Sequence, residues 1–364
     1  MKILLLVNNV FYKKYNGLYT FRAIGEFASQ LIKLGNEVEM LQTVLEKNEE
    51  FHDYNLNNSK VIITAIKRFK SKLFTYFLVY LVGIWKVFRS DFIYIYYPTN
   101  YHFLAFFAII FRKKYGLNVR GEKGVESRLS KFLYKNAQVV FTVSPNFTEI
   151  VINSKGNGIT QRPGISFNYD DIVKTTIKKN KSHYNILYLG RLDIEKGLIE
   201  LLNAIKILVD NKVDNFKLTI VGDGYHQDQI YNLSFELDIV KYINFAGPIT
   251  DVEKLKQEYL KSDLFILPTY HEGFPRTLYE SMIFGVPIIT TFVGGIPSLM
   301  QDGVNCIRIE PKSVESIVDK LQFVINNYEI YNEILPNAEI LIRNVIRKER
   351  PTHAEELNSI LINS

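Results

Sequence analysis

The stretch from His271 to Gly295, HEGFPRTLYESMIFGVPIITTFVGG, predicts a loop, a short helix and a buried strand in that order. Pro275 suits the first helical position, because its fixed φ and missing N–H cost nothing there. Gly285 suits the end of the helix, and residues 286–290 then predict the strand. The free N–H groups and the dipole of a helix N-terminus favour an anion. Glu280, in the second turn, is better placed to accept hydrogen bonds from hydroxyl groups such as those of a ribose.

One element thus offers a phosphate site and a diol acceptor, which suits a nucleotide-sugar. The alternative is an ordinary loop–helix–strand unit with surface acids. The stretch resembles the donor-site signature of retaining glycosyltransferases of family 4, which have the GT-B fold. The resemblance rests on the EGFPR segment at 272–276, on Glu280 eight positions after Glu272, and on the glycine-containing pairs at 294–295 and 302–303.

Size and composition limit the class of protein. The chain has 364 residues, 47% hydrophobic and 23% charged, which predicts a globular protein of two domains. A single cysteine, Cys306, excludes an intrachain disulfide and agrees with a reducing compartment. The six histidines are scattered and no D-x-D triplet occurs, so we expect a metal-independent reaction without a cofactor.

Two α/β halves are visible in the alternation of short apolar runs with helical patterns, which predicts parallel, doubly wound sheets. The polar segment 153–184 predicts the connection between them. By resemblance, we expect two Rossmann-like domains facing a central cleft. Residues 1–168 would form the acceptor domain and 169–349 the donor domain. A final helix at about 350–364 would return to the first domain.

The segment LYLGRLDIEKG at 187–197 places two cations just after a predicted strand. Arg191 and Lys196, which follow Gly190, are suited to holding a diphosphate, and the alternative is a solvated basic loop. The segment also resembles the family pattern, in which this pair neutralises the departing diphosphate. Asp193 and Glu195, between the two cations, are expected to be exposed.

Glycines mark two further turns. Gly222 opens a G-D-G turn after a predicted strand, but the full dinucleotide fingerprint G-x-G-x-x-G is absent. By resemblance, this turn lies beside the nucleotide base, and the backbone near Ile249 pairs with that base. Gly17, preceded by Asn16, would allow close approach to the donor, and a plain turn is the alternative.

The resemblance implies a role for each residue of the opening stretch. Glu280 would accept from the ribose, and Glu272 would contact the transferred sugar or stabilise positive charge on it. Glu272, Arg191 and Lys196 would be the catalytic group of a reaction that retains anomeric configuration. The remaining residues expected at the donor are Gly273, Phe274, Pro275, Thr277 and Leu278.

One position departs from the family pattern. Many members carry a histidine after the strand that here ends near Arg120, and this chain has Arg120 and Glu122 in that region. These two residues are candidates for contact with sugar hydroxyls or an acceptor phosphate. His102 and His271 lie in other predicted loops and are not assigned to catalysis.

Charge is distributed unevenly along the chain. Residues 1–170 carry 23 basic against 12 acidic side chains, and residues 60–135 carry 15 against 3. This region also contains the apolar runs 73–85 and 103–111, the first too short to span a bilayer. Two interpretations remain open: peripheral contact with an anionic membrane, or a pair of buried helices. Nucleic acid is disfavoured, because no recognition module accompanies the charge.

The sequence therefore predicts a retaining glycosyltransferase in cell-surface polysaccharide biosynthesis. It would use a nucleotide-diphosphate sugar, with uridine favoured, and a glycan or lipid-linked acceptor. The short apolar run at the N-terminus lacks the features of a signal peptide, so we expect a cytoplasmic protein. If the basic region 60–135 contacts a membrane, the protein would lie at the inner face of the cytoplasmic membrane. The alternatives are a catalytically silent GT-B subunit, a nucleotide-sugar epimerase and, less favoured, a nicotinamide dehydrogenase.

Overall fold

The computed structural model of the chain describes residues 1–7, 9–14, 17–46, 54–122, 124–176 and 178–363. Asn16, singled out above, lies outside these residues. The chain divides into two compact units, Met1–Gly164 with Arg350–Ser364, and Ile165–Glu349. We call them unit 1 and unit 2.

Unit 1 is built on a sheet whose described strands run in the order β10-β9-β8-β7-β1-β4-β2-β3-β5, with β6 also paired to β4. The β2–β3 and β3–β5 pairs are antiparallel, and the other strand pairs are parallel. In chain order, its elements are β1 Lys2–Leu6, β2 Phe11–Lys14, β3 Gly17–Thr20, α1 Arg22–Lys33, β4 Glu37–Glu46, β5 Tyr54–Asn55, β6 Ile62–Lys67, α2 Lys72–Arg89, β7 Phe92–Tyr97, α3 Leu104–Ile110, β8 Lys114–Val119, α4 Arg128–Asn136, β9 Val139–Thr142, α5 Pro145–Asn153 and β10 Gly158–Thr160.

Unit 2 is a six-stranded parallel sheet in the order β13-β12-β11-β14-β15-β16. Successive connections leave β11 in opposite directions, so the boundary between β11 and β14 is the point at which the strand order reverses. Its elements are β11 Tyr184–Leu189, α6 Leu198–Asp210, β12 Phe216–Val221, α7 Gln227–Glu236, β13 Ile243–Gly247, α8 Val252–Leu260, β14 Leu264–Leu267, α9 Arg276–Ile283, β15 Ile288–Thr291, β16 Ile307–Ile309, α10 Val314–Asn326 and α11 Tyr331–Val345.

The last helix, α12 at His353–Ile362, belongs to unit 1 and packs against α1. It begins with a capping box, in which Thr352 and Glu355 satisfy each other's backbone N–H groups. His353 is buried between aromatic rings, and its Nε2 lies 2.6 Å from the Tyr94 hydroxyl. These contacts hold the end of the chain on the first sheet.

The predicted fold class is confirmed, since both units are doubly wound α/β structures. The cleft between them stays a prediction. The sequence-based expectations missed β2 and β3, which form a hairpin before α1. Within the described residues, no helix is long and apolar enough to cross a membrane.

Candidate functional site

Two loops meet at the point where the strand order of unit 2 reverses. The loop after β11 carries Gly190, Arg191 and Lys196, and the loop after β14 carries Glu272. Because β11 and β14 are parallel neighbours, both loops leave from the same edge of the sheet. The backbone N–H of Tyr270 donates to the Glu195 carbonyl at 2.8 Å and joins the loops directly. In open sheets of this kind, ligands bind at the carboxyl ends of the strands beside such a reversal.

Lys196 and Glu272 form an ion pair across this edge, Nζ to Oε1. The two side chains are 9% and 20% exposed, so water screens the pair only partly. A buried lysine contradicts the alternative of a solvated basic loop at this position. The pair brings one cation and one carboxylate of the predicted catalytic group into contact.

Arg191 is more exposed than Lys196 and makes two ion pairs. Its guanidinium bonds to Asp193 and, at 3.0 Å, to Glu195. Asp193 was expected to be exposed, but its side chain is mostly buried. It also accepts from the Tyr225 backbone N–H at 3.3 Å, which ties it to the turn after β12. The exposed position of Glu195 agrees with the expectation.

Helix α9 begins at Arg276, one residue later than predicted, because Pro275 is the N-cap with an extended backbone. It ends at Ile283, and Gly285 adopts a φ of 62°, the left-handed conformation expected just after a helix. Its first-turn N–H groups lie next to the loop that carries Glu272. This is the predicted arrangement of loop and helix.

Glu280 lies on α9 and is almost completely buried. Burial raises the pKa of its carboxyl group, while the hydrogen bond from Tyr259 and the charge of Arg276 lower it. The Tyr259 hydroxyl donates to Oε2 at 2.8 Å. The sequence analysis missed Tyr259, because a tyrosine inside an amphipathic helix gives no signal of such a contact.

The glycines of the turn after β12 are required by close contact with the backbone of the loop after β11. A Cβ on Gly222 would lie 1.9 Å from the Gly190 carbonyl oxygen, and one on Gly224 would lie 2.6 Å from the backbone of Leu192. Gly222 has a φ of 136°, and its N–H donates to the Gly247 carbonyl at 2.9 Å. The G-D-G turn is therefore a packing feature that holds these loops together.

Other residues predicted at the donor occupy different environments. Gly273 and Thr277 are half-buried beside the start of α9. Phe274 is buried against Tyr279, with ring centroids 4.4 Å apart. Leu278 is fully buried, and its backbone N–H donates to the Pro275 carbonyl, so it shapes the helix from within. Ile249 packs at the margin of the hydrophobic core.

Gly17, Arg120 and Glu122 belong to unit 1. Gly17 starts β3, and a Cβ there would meet the Asn57 side chain at 2.8 Å, so a local contact accounts for this glycine. Arg120 follows β8 and lies over the Tyr96 ring at 5.6 Å, whereas Glu122 is exposed. The group around Lys196 belongs to unit 2, so these three predicted site residues lie in a different unit.

The described residues contain no group of three or more His, Cys, Asp or Glu side chains that could hold a metal ion. His102 and His271 lie in separate units, and His102 contacts the Thr99 carbonyl. Independence from metals stays a prediction.

Comparison with known sequences bears on unit 2. The family model described as "Glycosyl transferases group 1" matches residues 170–340. An uncharacterized glycosyltransferase of Haemophilus influenzae is 31% identical over 172 residues, which cover 46% of this chain and 48% of that protein. A putative teichuronic acid biosynthesis glycosyltransferase of Bacillus subtilis, TuaC, is 34% identical over 135 residues, 37% of this chain and 31% of that one. The chain thus matches less than half the length of these relatives.

Solved structures share the fold over the whole chain. HepE from Anabaena, in complex with UDP and glucose, superposes with a TM-score of 0.68 at 16% identity, covering 100% of this chain and 98% of that one. Sucrose-phosphate synthase from Thermosynechococcus elongatus gives a TM-score of 0.71 at the same identity and coverage. Identities this low show a shared fold alone. The family match thus lies within unit 2, and the solved structures show that the chain has the fold of GT-B glycosyltransferases.

Proposed function

We propose that the chain transfers a sugar, with retention of configuration, from a nucleotide-diphosphate sugar to a glycan or lipid-linked acceptor. The observation that carries this proposal is the Lys196–Glu272 ion pair at the strand-order reversal of unit 2, beside the start of α9. A cation, a carboxylate and helix N–H groups adjoin there, as binding of a diphosphate and a sugar requires. A uridine nucleotide is favoured, since HepE is similar in fold and binds UDP.

Each site residue binds a different part of the donor. Lys196 and Arg191 hold the diphosphate together with the first-turn N–H groups of α9. Glu280 accepts from the ribose hydroxyls, and Glu272 faces the transferred sugar. When the diphosphate is bound, Lys196 shares its charge between the phosphate oxygens and Glu272.

The chemical step breaks the bond between the anomeric carbon and the diphosphate oxygen. Negative charge develops on the diphosphate, and Lys196 and Arg191 stabilise it electrostatically. The acceptor hydroxyl attacks from the face that the diphosphate leaves, and its proton passes to the departing phosphate oxygen. Configuration is retained, and no carboxylate nucleophile is needed, in contrast to retaining hydrolases.

The acceptor is proposed to be a lipid-linked sugar or a growing surface polysaccharide. Support comes from relatives: one of them transfers N-acetylgalactosamine to an undecaprenol-linked glycan in Campylobacter jejuni and is 29% identical over 155 residues. The basic character of residues 60–135 agrees with an acceptor that carries phosphate or lies at a membrane surface.

The experiment is an assay of the purified chain with UDP-, GDP- and ADP-sugars, with release of the nucleoside diphosphate as the readout. We expect slow hydrolysis of one donor without acceptor, unchanged by EDTA, and loss of that release in Glu272→Gln. Binding of a UDP-sugar without turnover would favour the silent-subunit alternative. Interconversion of the sugar without release of UDP would favour the epimerase.

A further inference from the structure

Helix α2 of unit 1 presents opposite faces to very different surroundings. Its buried residues are Thr75, Val79, Gly83 and Val87, spaced four apart on one side. Gly83 lets this side approach closely, since a Cβ there would lie 2.8 Å from Leu104. A second anchor is the ion pair between Lys86 and the buried Glu39 of β4.

The other side of α2 is apolar and uncovered. Leu73, Phe77, Leu81, Trp85 and Phe88 are each between 53% and 87% exposed. At 100° per residue these positions form one stripe, centred roughly opposite the buried one. It runs for about 22 Å at 1.5 Å per residue. A helix facing water carries polar residues on its outer side, so this stripe marks a surface that contacts an apolar phase or a partner.

Exposed basic side chains lie at both ends of the stripe. Lys67, Arg68, Lys70 and Lys72 are exposed at or before the start of α2, and Arg89, Arg112 and Lys114 are exposed at or after its end. Acidic residues are scarce, with only three between residues 60 and 135. An apolar stripe bordered by lysine and arginine is the arrangement of helices that lie in the interface of an anionic bilayer.

Trp85 marks the boundary between the apolar stripe and its basic end. Lys86 Nζ and Arg89 Cζ lie 5.1 Å and 5.0 Å from the centre of the indole ring. Tryptophan favours the headgroup level of a membrane, where its ring meets both apolar chains and charged groups. A tryptophan beside the exposed cation of Arg89 suits that depth, whereas the charge of Lys86 is paired with Glu39.

We propose that α2 lies parallel to an anionic lipid bilayer, with the stripe from Leu73 to Phe88 among the upper acyl chains and the basic residues at the headgroups. The sequence left open whether this helix is buried or contacts a membrane. The structure shows that the helix is buried on one side only. A second copy of the chain fits the surface poorly, because a symmetric dimer would set the two basic borders against each other. The proposal is independent of the donor site.

The first test measures the fluorescence of Trp85, which is the sole tryptophan of the chain and so reports on the stripe alone. The full chain is titrated with phosphatidylglycerol vesicles and with phosphatidylcholine vesicles at low salt. We expect a blue shift of Trp85 emission with the anionic vesicles, quenching by brominated acyl chains, and reversal in high salt. Unchanged emission with phosphatidylglycerol vesicles at low salt overturns the proposal.

Variants separate the stripe from general charge attraction. Phe77→Ser with Leu81→Ser should lower vesicle partitioning at least tenfold, since it removes buried apolar area. Ile340→Ser changes a side chain that is 60% exposed on unit 2 and should leave partitioning unchanged. Exposed substitutions of this kind preserve the fold, which circular dichroism checks. Equal partitioning of the double variant and the wild type would overturn the proposal.

Two further measurements distinguish other outcomes. Replacing Lys67, Lys70 and Lys72 by Ala should weaken partitioning roughly fivefold per lysine. If the chain instead forms dimers that Phe77→Ser with Leu81→Ser dissociates, and ignores anionic vesicles, the stripe is a protein interface and the proposal fails. Lys196→Ala should bind vesicles as the wild type does, so failure of the donor-site proposal leaves this result unaffected.

Discussion

The Tyr259 hydroxyl donates a 2.8 Å hydrogen bond to Oε2 of Glu280, joining α8 to α9 inside unit 2. Both side chains are buried, and burial raises the pKa of each. The bond favours the ionised form of Glu280, because a hydroxyl donor stabilises a carboxylate. We expect Tyr259 to act as a positioning residue: it fixes one oxygen of Glu280 and favours its charged form, as the proposed contact with the ribose requires.

Tyr259→Phe should weaken UDP binding roughly three- to tenfold. A hydrogen bond to a charged group contributes about 1.5–3 kcal/mol, and part of that free energy stabilises the fold rather than the complex with UDP. Without the donor, the pKa of Glu280 rises further, so the pH at which UDP binding is half-lost should move upward. Isothermal titration calorimetry across pH measures both effects.

Tyr328→Phe is the matched control for that variant. The Tyr328 hydroxyl donates to the Asp263 carbonyl at 2.7 Å, also buried in unit 2 but outside the predicted site. It should lower stability without changing the pH dependence of UDP binding. Identical pH profiles for Tyr259→Phe and the wild type would show that Tyr259 is only structural.

Glu272→Gln should separate binding from chemistry. The substitution removes the negative charge that pairs with Lys196 and leaves the lysine to the diphosphate, so UDP should bind as tightly as in the wild type or more tightly. Sugar transfer should fall about 10²- to 10³-fold, the scale of losing one electrostatic contact in the transition state. UDP affinity and the rate of UDP release are measured together, and parallel losses in both would refute the assigned role.

Glu280→Gln should reveal the raised pKa of this carboxyl group. Because the pKa is higher in the folded state, folding takes up a proton in the window above the ordinary value of 4.5, and stability falls as pH rises through it. A glutamine at this position is neutral at every pH, so its burial does not lower the stability of the variant as pH rises. The variant should gain stability relative to the wild type at pH 7 but not at pH 4, while UDP binding weakens. Thermal unfolding at the two pH values measures the stability of the variant relative to the wild type. The same relative stability at pH 7 and at pH 4 would contradict a raised pKa of Glu280.

Gly222→Ala should destabilise unit 2 by at least about 2 kcal/mol. Its Cβ would overlap the Gly190 carbonyl oxygen, and its φ of 136° strains any side chain. Gly121→Ala is the control, since nothing lies within 4 Å of its added Cβ. Denaturant unfolding compares the two, and equal midpoints would show that the turn tolerates a side chain.

His353→Phe should remove a pH dependence from unit 1. Burial lowers the pKa of His353 to about 3, so the folded protein holds it neutral while the unfolded chain protonates near pH 6.5. The wild type should then lose about 1.4 kcal/mol per pH unit as pH falls from about 6.5 towards 3. The variant loses the hydrogen bond to Tyr94 but should show a shallower decline over that range. Equal slopes in denaturant unfolding would contradict the burial of a neutral imidazole.

The sequence predicted the α/β class, and it brought Lys196 and Glu272 to one site because each follows a buried strand. Two features of the structure could not be predicted from the sequence. Tyr259 contacts Glu280 only through the packing of α8 on α9, which leaves no mark in helical periodicity. Helix α2 is apolar on nearly every side, and that sequence pattern is the same for an enclosed helix and for a half-exposed one. Tertiary contacts, such as Gly83 against Leu104 and Lys86 with Glu39, decide which side is buried.

Calorimetric titration of UDP into the wild-type chain, Lys196→Ala and Lys206→Ala tests the donor site directly. Lys206 lies on α6 and pairs with Asp210, so its variant removes the same charge away from the site. We predict saturable binding of UDP to the wild type and to Lys206→Ala, with affinity at least 100-fold lower in Lys196→Ala. Equal UDP affinity in Lys196→Ala and the wild type would contradict a donor site at the edge of β11 and β14.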